Sequence, residues 1–174
     1  MGDDPYCEDC RPSTRARWKE IQHLLVGDSV LDIGCAHGDG CEFVPEGMRY
    51  EGLDANVAGL PFWERYWRPY ERERPNRRFF ECRIEDWLAW PEMVAQRWGT
   101  IVCLETLEHI ETGLAIAQRL KIHCDRMLIS VPYLGQPGSN GHVLLDLTPE
   151  DFPGFRRIND ERNHTMFLQW DRKE

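Results

Sequence analysis

The stretch Val30-Leu31-Asp32-Ile33-Gly34-Cys35-Ala36-His37-Gly38-Asp39-Gly40 constrains this chain more than any other. Ser29 to Ile33 is a short apolar run that breaks into glycines, the pattern of a buried parallel strand entering a turn. Glycines at 34, 38 and 40, with small Ala36 between them, let the backbone approach a ligand that side chains would hold off. In an open α/β sheet such a turn lies beyond the carboxyl ends of the strands, where ligands bind. Twenty residues after Gly34, Asp54 ends a second strand pattern, Arg49 to Leu53. A carboxylate there can accept hydrogen bonds from both ribose hydroxyls of an adenosine. The loop reads G-x-A-x-G-x-G, not the G-x-G-x-x-G that cradles a pyrophosphate. Asp32 and Asp39 flank it, and two carboxylates repel a pyrophosphate but suit an ammonium or a sulfonium. The ligand implied is adenosine-like with a cationic tail.

Around this turn, strand and helix patterns alternate. A helix is expected from Ser13 or Thr14 to about Leu25, with Trp18, Ile21, Leu24 and Leu25 on one stripe and Gly27 as its stop. Further strands fit 78–82, 100–104 and 126–131, with helical pieces after Pro61, around 85–90 and over about 112–123. Thr148-Pro149-Glu150-Asp151 reads as a turn that opens a short helix. Two closing strand runs, 155–158 and 164–170, have no helix between them and so pair antiparallel. The fold class expected is α/β and Rossmann-like: a largely parallel seven-stranded sheet with an antiparallel final strand and helices on both faces. Residues 1–13 read as a loose tail and 14–174 as a single domain.

Of the 174 residues, 41% are hydrophobic, which excludes general disorder. The net charge of −9 argues against nucleic acid as a partner. No apolar run reaches the length of a membrane span, and the first residues carry no signal-like segment, so a cytoplasmic protein is expected, a monomer or small homo-oligomer. Seven cysteines, an odd number with Cys82 and Cys103 inside strand patterns, fit reduced thiols better than a disulfide framework. Cys7-x-x-Cys10 has no second pair at zinc-knuckle spacing, so it reads as two tail thiols and no metal is expected.

Four motifs in order then resemble one family. Leu31 to Gly40 is similar to the first motif of class I S-adenosylmethionine-dependent methyltransferases, and Gly52-Leu53-Asp54 to the second. Cys103-Leu104-Glu105-Thr106-Leu107-Glu108-His109-Ile110 resembles the fourth-strand motif of the branch that methylates small molecules and sugars, and Leu128 to Tyr133 that branch's fifth strand. The resemblance implies S-adenosyl-L-methionine as cofactor and a small-molecule acceptor. It places Gly34, Cys35, Ala36, His37 and Gly38 along the methionine part and Asp32 on its amino group. It also places Asp54 and Ala55 at the ribose, Ile84 and Glu85 near the adenine, and Leu104 and Glu105 beside the sulfonium.

Three positions depart from the family pattern. Ala36 replaces the middle glycine, which suits the turn only if its φ stays negative. Arg83 stands where an adenine-contacting aspartate is usual, which moves that contact to the Ile84 amide or to Glu85. Thr100 replaces an aspartate that commonly opens strand four.

Methyl transfer needs alignment and exclusion of water, and a base only where the nucleophile carries a proton. The candidates are His109, His142, Glu105 and Glu108. Against this stands the plainer reading that Glu108 and His109 cap and orient the next helix while Glu108 satisfies His109, and that His142 is a solvated loop histidine. The aromatic and arginine-rich stretch from Leu60 to Arg78 reads as a packing face, with Phe62, Tyr66 and Tyr70 at four-residue spacing, in preference to an acceptor wall or nucleic-acid patch. Two other functions compete. A non-catalytic S-adenosylmethionine-binding regulatory or partner subunit would keep the loop without turnover. A nicotinamide-dependent oxidoreductase would have a fully parallel sheet, which an antiparallel last strand excludes.

Overall fold

Parallel strands joined by helices must be covered on both faces, and five of the strands here are parallel. In the computed structural model, which describes residues 11–55, 62–91, 95–133, 141–160 and 164–173, they are β1 (Ser29–Ile33), β2 (Arg49–Asp54), β3 (Arg77–Glu81), β4 (Trp98–Leu104) and β5 (Cys124–Pro132). With β6 (Arg156–Arg157) and β7 (Thr165–Asp171) they form one seven-stranded sheet in the order β3-β2-β1-β4-β5-β7-β6. The first five are parallel; β7 runs antiparallel to both β5 and β6. The antiparallel β7 excludes the nicotinamide-dependent version of the fold.

Alternate side chains of each strand enter two separate cores. Leu31, Ile33, Ile101, Cys103, Met127 and Ile129 face Trp87 of helix α3 (Ile84–Trp87) and Ile116 and Leu120 of α4 (Gly113–Leu120). Val30, Val102 and Leu128 face Trp18 and Ile21 of α1 (Arg11–Ile21), together with Trp67 and Phe79. At the edge where β1 and β4 begin, Gly27 packs on Gly99 so closely that a Cβ on Gly99 would lie 2.3 Å from the Val26 carbonyl oxygen. Thr100 secures that contact by accepting from the Val26 N–H at 2.9 Å and donating to the Val26 carbonyl at 3.0 Å.

Several boundaries differ from the expected ones. Helix α1 begins at Arg11, with Pro12 in its first turn where a missing N–H costs nothing, so residues 11–13 are helical where the sequence predicts a loose tail. Residues 1–10, with Cys7 and Cys10, lie outside the described residues. β3 sits one residue earlier than expected, which leaves Cys82 just past the strand and half-buried. β4 already starts at Trp98, so Thr100 lies inside it. The Thr148–Asp151 turn is a short 3-10 helix closed by a reciprocal capping box.

The aromatic stretch is helical from Phe62 and packs, but it is not a regular α-helix. Trp63–Trp67 is π-helical, followed by α2 (Arg68–Glu73). Pro69 explains the widening: it cannot donate, and its ring would press on the carbonyl four residues back. The Arg68 N–H instead reaches the Trp63 carbonyl. Phe62 and Trp67 are buried, and Trp67 stacks on Phe79 with centroids 5.3 Å apart. Among the described residues no helix is long and apolar enough to cross a membrane.

The basic run that follows is dismantled by folding. Arg77 is buried, and its guanidinium donates to the carbonyls of Cys41 (3.2 Å), Val44 (2.7 Å), Pro45 (3.2 Å) and Met48 (2.6 Å). It thereby ties down residues 41–48 of the irregular connection between β1 and β2, which follow directly on the first loop. Replacing Arg77 by Lys keeps the charge but not the fork of donors, and strands buried carbonyls that cost about 1–3 kcal/mol each. Urea unfolding of Arg77→Lys should show a loss of roughly 2–4 kcal/mol, whereas the neighbouring exposed Arg78→Lys should unfold like the wild type.

Candidate active site

The turn after β1 is built from residues that hydrogen-bond to β2. Gly34 and Cys35 both donate their N–H to the Leu53 carbonyl, at 2.7 and 3.2 Å, and the Gly38 N–H returns to the Cys35 carbonyl at 2.8 Å. Gly34 has φ +76 and Gly38 φ +80, which glycine adopts freely. The room a Cβ would need is also taken by this protein's own side chains: Thr106 at Gly34 and Phe79 at Gly38. The glycines thus serve close packing as well as any approach to a ligand. Ala36 departs from the expected negative φ and stands at +45. That left-handed turn costs about 1–2 kcal/mol for a residue with a Cβ. Two hydrogen bonds offset it: Ala36 N–H to Asp54 Oδ2 at 2.9 Å, and Trp67 Nε1–H to the Ala36 carbonyl at 2.8 Å.

Asp54 therefore ends β2 and clamps the first loop with one oxygen. Asp32 is buried within β1 and accepts from the Tyr50 hydroxyl at 2.6 Å. Burial pushes its pKa up to about 7; the Asp54 charge adds to the rise and Tyr50 opposes it. Asp39 does not join them. Its carboxylate is held in two-point contact by Arg11, and Arg15 and Tyr70 lie at 3.4 Å. The expectation that Asp39 adds its charge to the ligand side is corrected: it docks α1. The His37 ring packs edge-on against Tyr66, centroids 4.5 Å apart, and beside Phe62, while Cys35 is a buried thiol whose pKa burial raises.

The remaining candidates lie along the same carboxyl edge. Ala55 follows β2 and is exposed; Ile84 opens α3 and is buried. Glu85 pairs with exposed Arg83 at 3.3 Å. Leu104 ends β4 buried, and Glu105 turns the chain with φ +52. Its N–H is shared between the Ser130 carbonyl at 2.9 Å and hydroxyl at 3.1 Å, and that hydroxyl donates back to Glu105 Oε1 at 3.0 Å. Burial raises the Glu105 pKa, against the pull of Arg17, Ser130 and His109.

Glu108, His109 and His142 do come together, although 33 residues separate the two histidines. The His rings meet edge-on, 4.7 Å between centroids. His109 Nδ1 is 3.0 Å from the Gly141 carbonyl, and His142 Nε2 is 4.0 Å from Glu108 Oε1. The expected satisfaction of His109 by Glu108 is not what forms; His109 bonds the 141–144 loop instead. Burial, then the charge of His109, lowers the His142 pKa. Sequence reasoning missed Tyr50, Trp67 and Thr106 as the supports of the loop, because nothing local marks them as its neighbours.

A family model for a methyltransferase domain matches residues 11–171. A search of the curated proteins finds no match. Among solved structures, the chain is similar to the N-methyltransferase NodS from Bradyrhizobium japonicum in complex with S-adenosyl-L-homocysteine, at 15% identity and TM-score 0.72, covering 100% of this chain and 94% of that one. It is also similar to magnesium protoporphyrin IX methyltransferase from Synechocystis with bound SAH, at 16% identity and TM-score 0.68, covering 95% and 86%. A third is the N-terminal domain of EvdMO1, in the presence of SAH and D-fucose, at 13% identity and TM-score 0.66, covering 93% and 83%. At these identities the likeness is one of fold.

The state of Asp32 has a measurable consequence. A carboxyl whose folded pKa is raised stabilises the fold fully below its unfolded value of roughly 3.9, and that contribution fades as pH rises to about 7. Asp32→Asn still accepts from Tyr50 but cannot ionise. Its melting temperature relative to the wild type should therefore climb between pH 4 and pH 7.5. Parallel curves across that range would contradict the assignment.

Proposed function

The chain belongs to the methyltransferase-domain family, whose chemistry moves a methyl group from S-adenosylmethionine, and on that premise we propose that it methylates a nucleophilic atom of a small metabolite or sugar. The observation that carries this reading is the clamp between Asp54 and Ala36. It joins the end of β2 to the first loop, so that the two places a bound nucleoside with an amino-acid tail would bridge form one rigid edge. In this reading Asp54 and Ala55 hold the ribose, while Gly34, Cys35, Ala36, His37 and Gly38 run along the methionine part. Asp32 takes the ammonium, which would draw its carboxyl back to the ionised form. Ile84 and Glu85 border the adenine, and Leu104 walls the sulfonium. The domain spans 14–174, with residues 11–13 added by the start of α1.

The sulfonium is a good leaving group, so the protein supplies alignment and dryness. Glu105 is the group best placed to take a proton from the acceptor. It follows the last residue of β4, its turned backbone is fixed by Ser130, and its raised pKa brings a carboxylate nearer the working pH. A small acceptor is supported by the chemistry of the rim beyond β4, where His109, His142 and Glu108 gather within a few ångströms. It is also supported by the similar proteins, one named for magnesium protoporphyrin IX and one crystallised with D-fucose present.

The cofactor half of the reading is open to calorimetry without knowledge of the acceptor. S-adenosylhomocysteine should bind the wild-type protein in the micromolar range. Asp54→Ala removes two charge-assisted hydrogen bonds of about 1.5–3 kcal/mol each and should weaken binding roughly a hundredfold or more. Asp54→Asn keeps an acceptor for the Ala36 N–H, so its melting temperature should stay near that of the wild type while its affinity still falls. No heat of binding with the wild type would refute the proposal.

A further inference from the structure

Glu108 is the one carboxylate among the described residues that is fully buried with both oxygens lacking a hydrogen-bond partner. Such a group is costly to keep, and a buried carboxyl is held either by protonation or by a paired charge or metal ion. Arg17 acts on it through its charge, but no hydrogen bond joins them. The Glu108 carbonyl accepts from the N–H groups of Val143 and Leu144, at 2.8 and 3.0 Å, which fastens the loop bearing His142 directly beside it. His109 completes the group. The Gly141 carbonyl accepts from His109 Nδ1–H, so the proton sits on Nδ1 and the Nε2 lone pair is left for a ligand. A backbone carbonyl fixing the tautomer in this way is the usual outer support of a metal-bound histidine. One ligand atom from each of Glu108, His109 and His142 lies within 4.8 Å of the others.

We propose that Glu108, His109 and His142 form a binding site for a divalent transition-metal ion of the Mn2+ or Zn2+ type, with a hydroxyl oxygen of the acceptor completing its coordination. A carboxylate with two imidazoles is a mixed oxygen and nitrogen donor set that suits these ions, and it leaves coordination positions open. Metal–ligand bonds of about 2.0–2.2 Å bring adjacent donors to roughly 3–3.5 Å from one another. From separations of up to 4.8 Å the cluster thus has to contract by up to roughly 1–2 Å, which the exposed His109 ring and the 141–144 loop can supply. Val143 and Leu145, exposed and just after His142 in the chain, offer apolar contact to the acceptor's carbon frame.

The metal site stands on geometry alone; only its contact with the acceptor rests on the methyltransferase reading. In that reaction the cation lowers the pKa of the bound hydroxyl, whose proton passes to Glu105 and then to water. The oxygen forms a bond to the methyl carbon as the carbon–sulfur bond breaks, and sulfur keeps the electron pair as S-adenosylhomocysteine.

The test uses the full chain stripped with chelator, without cofactor or acceptor. Mn2+ titrated into it should lose its six-line electron paramagnetic resonance signal up to one equivalent, and Zn2+ should compete. Glu108→Gln and His142→Ala should each weaken Mn2+ binding by more than about tenfold, with His142→Ala carrying the test if Glu108→Gln does not fold. The site is overturned if millimolar Mn2+ keeps its free signal, or if the variants titrate like the wild type while only their metal-free melting temperatures differ. Metal binding without S-adenosylhomocysteine binding would sink the methyltransferase reading and spare the site. The reverse pattern would do the opposite.

Discussion

The hydrogen bond from the Ala36 N–H to Asp54 holds together the part of the molecule on which everything else is arranged. It sustains a left-handed alanine between two left-handed glycines, and with the two N–H groups shared by the Leu53 carbonyl it welds the turn after β1 to the end of β2. β1 lies between β2 and β4, and the parallel register sets Ile33 beside Leu53 and Cys103, so the three strands end at one level around that weld. Thr106, coming off β4, fills the space at Gly34 and donates to the Ile33 carbonyl at 3.2 Å. Trp67 covers the opposite side. The carboxyl edge is therefore a single surface made from three strand ends.

Polar groups inside the two cores are handled in different ways, and the differences separate structure from chemistry. Arg77 and Thr100 are spent on backbone carbonyls and N–H groups that the chain would otherwise bury bare. Asp32 has one strong partner in Tyr50 and a pKa near neutrality, a state that a bound cation would change. Burial, with the Glu105 charge behind it, holds the Glu108 carboxyl well above its usual range; its own backbone and the Arg17 charge oppose the rise without cancelling it. Trp87 and Trp98 also bury an unpartnered indole N–H in the core, but among the described residues Glu108 is the carboxylate that does so with both oxygens, and it is there that the cost of burial is largest.

Much of the scaffold was legible before folding. β1 falls on Ser29–Ile33 as expected, since a short run with Val30, Leu31 and Ile33 that stops at a glycine admits few alternatives. The antiparallel closing pair followed from two strand runs with no helix between them. The packing role of the aromatic stretch followed from its four-residue spacing, though not its π-helical start, which depends on Pro69. The site was legible in part. Residues along the first loop, Asp54 and Glu105 all lie at the carboxyl edge, but Asp39 turned out to dock α1, and Glu108 does not hydrogen-bond His109.

The line between the two kinds of knowledge is a matter of range. Strand periods, glycine turns and the approach to a family all act through neighbours a few residues apart, and so they can be read along the chain. Which carboxylate is neutralised and which is left bare depends on partners far away in sequence: Arg11 for Asp39 across 28 residues, Tyr50 for Asp32 across 18. His109 and His142 are brought edge to edge only because β5 ends beside β4 and its following loop returns to the Glu108 carbonyl. The reaction class was thus written into local pattern, while the electrostatics of the site had to wait for the chain to close on itself.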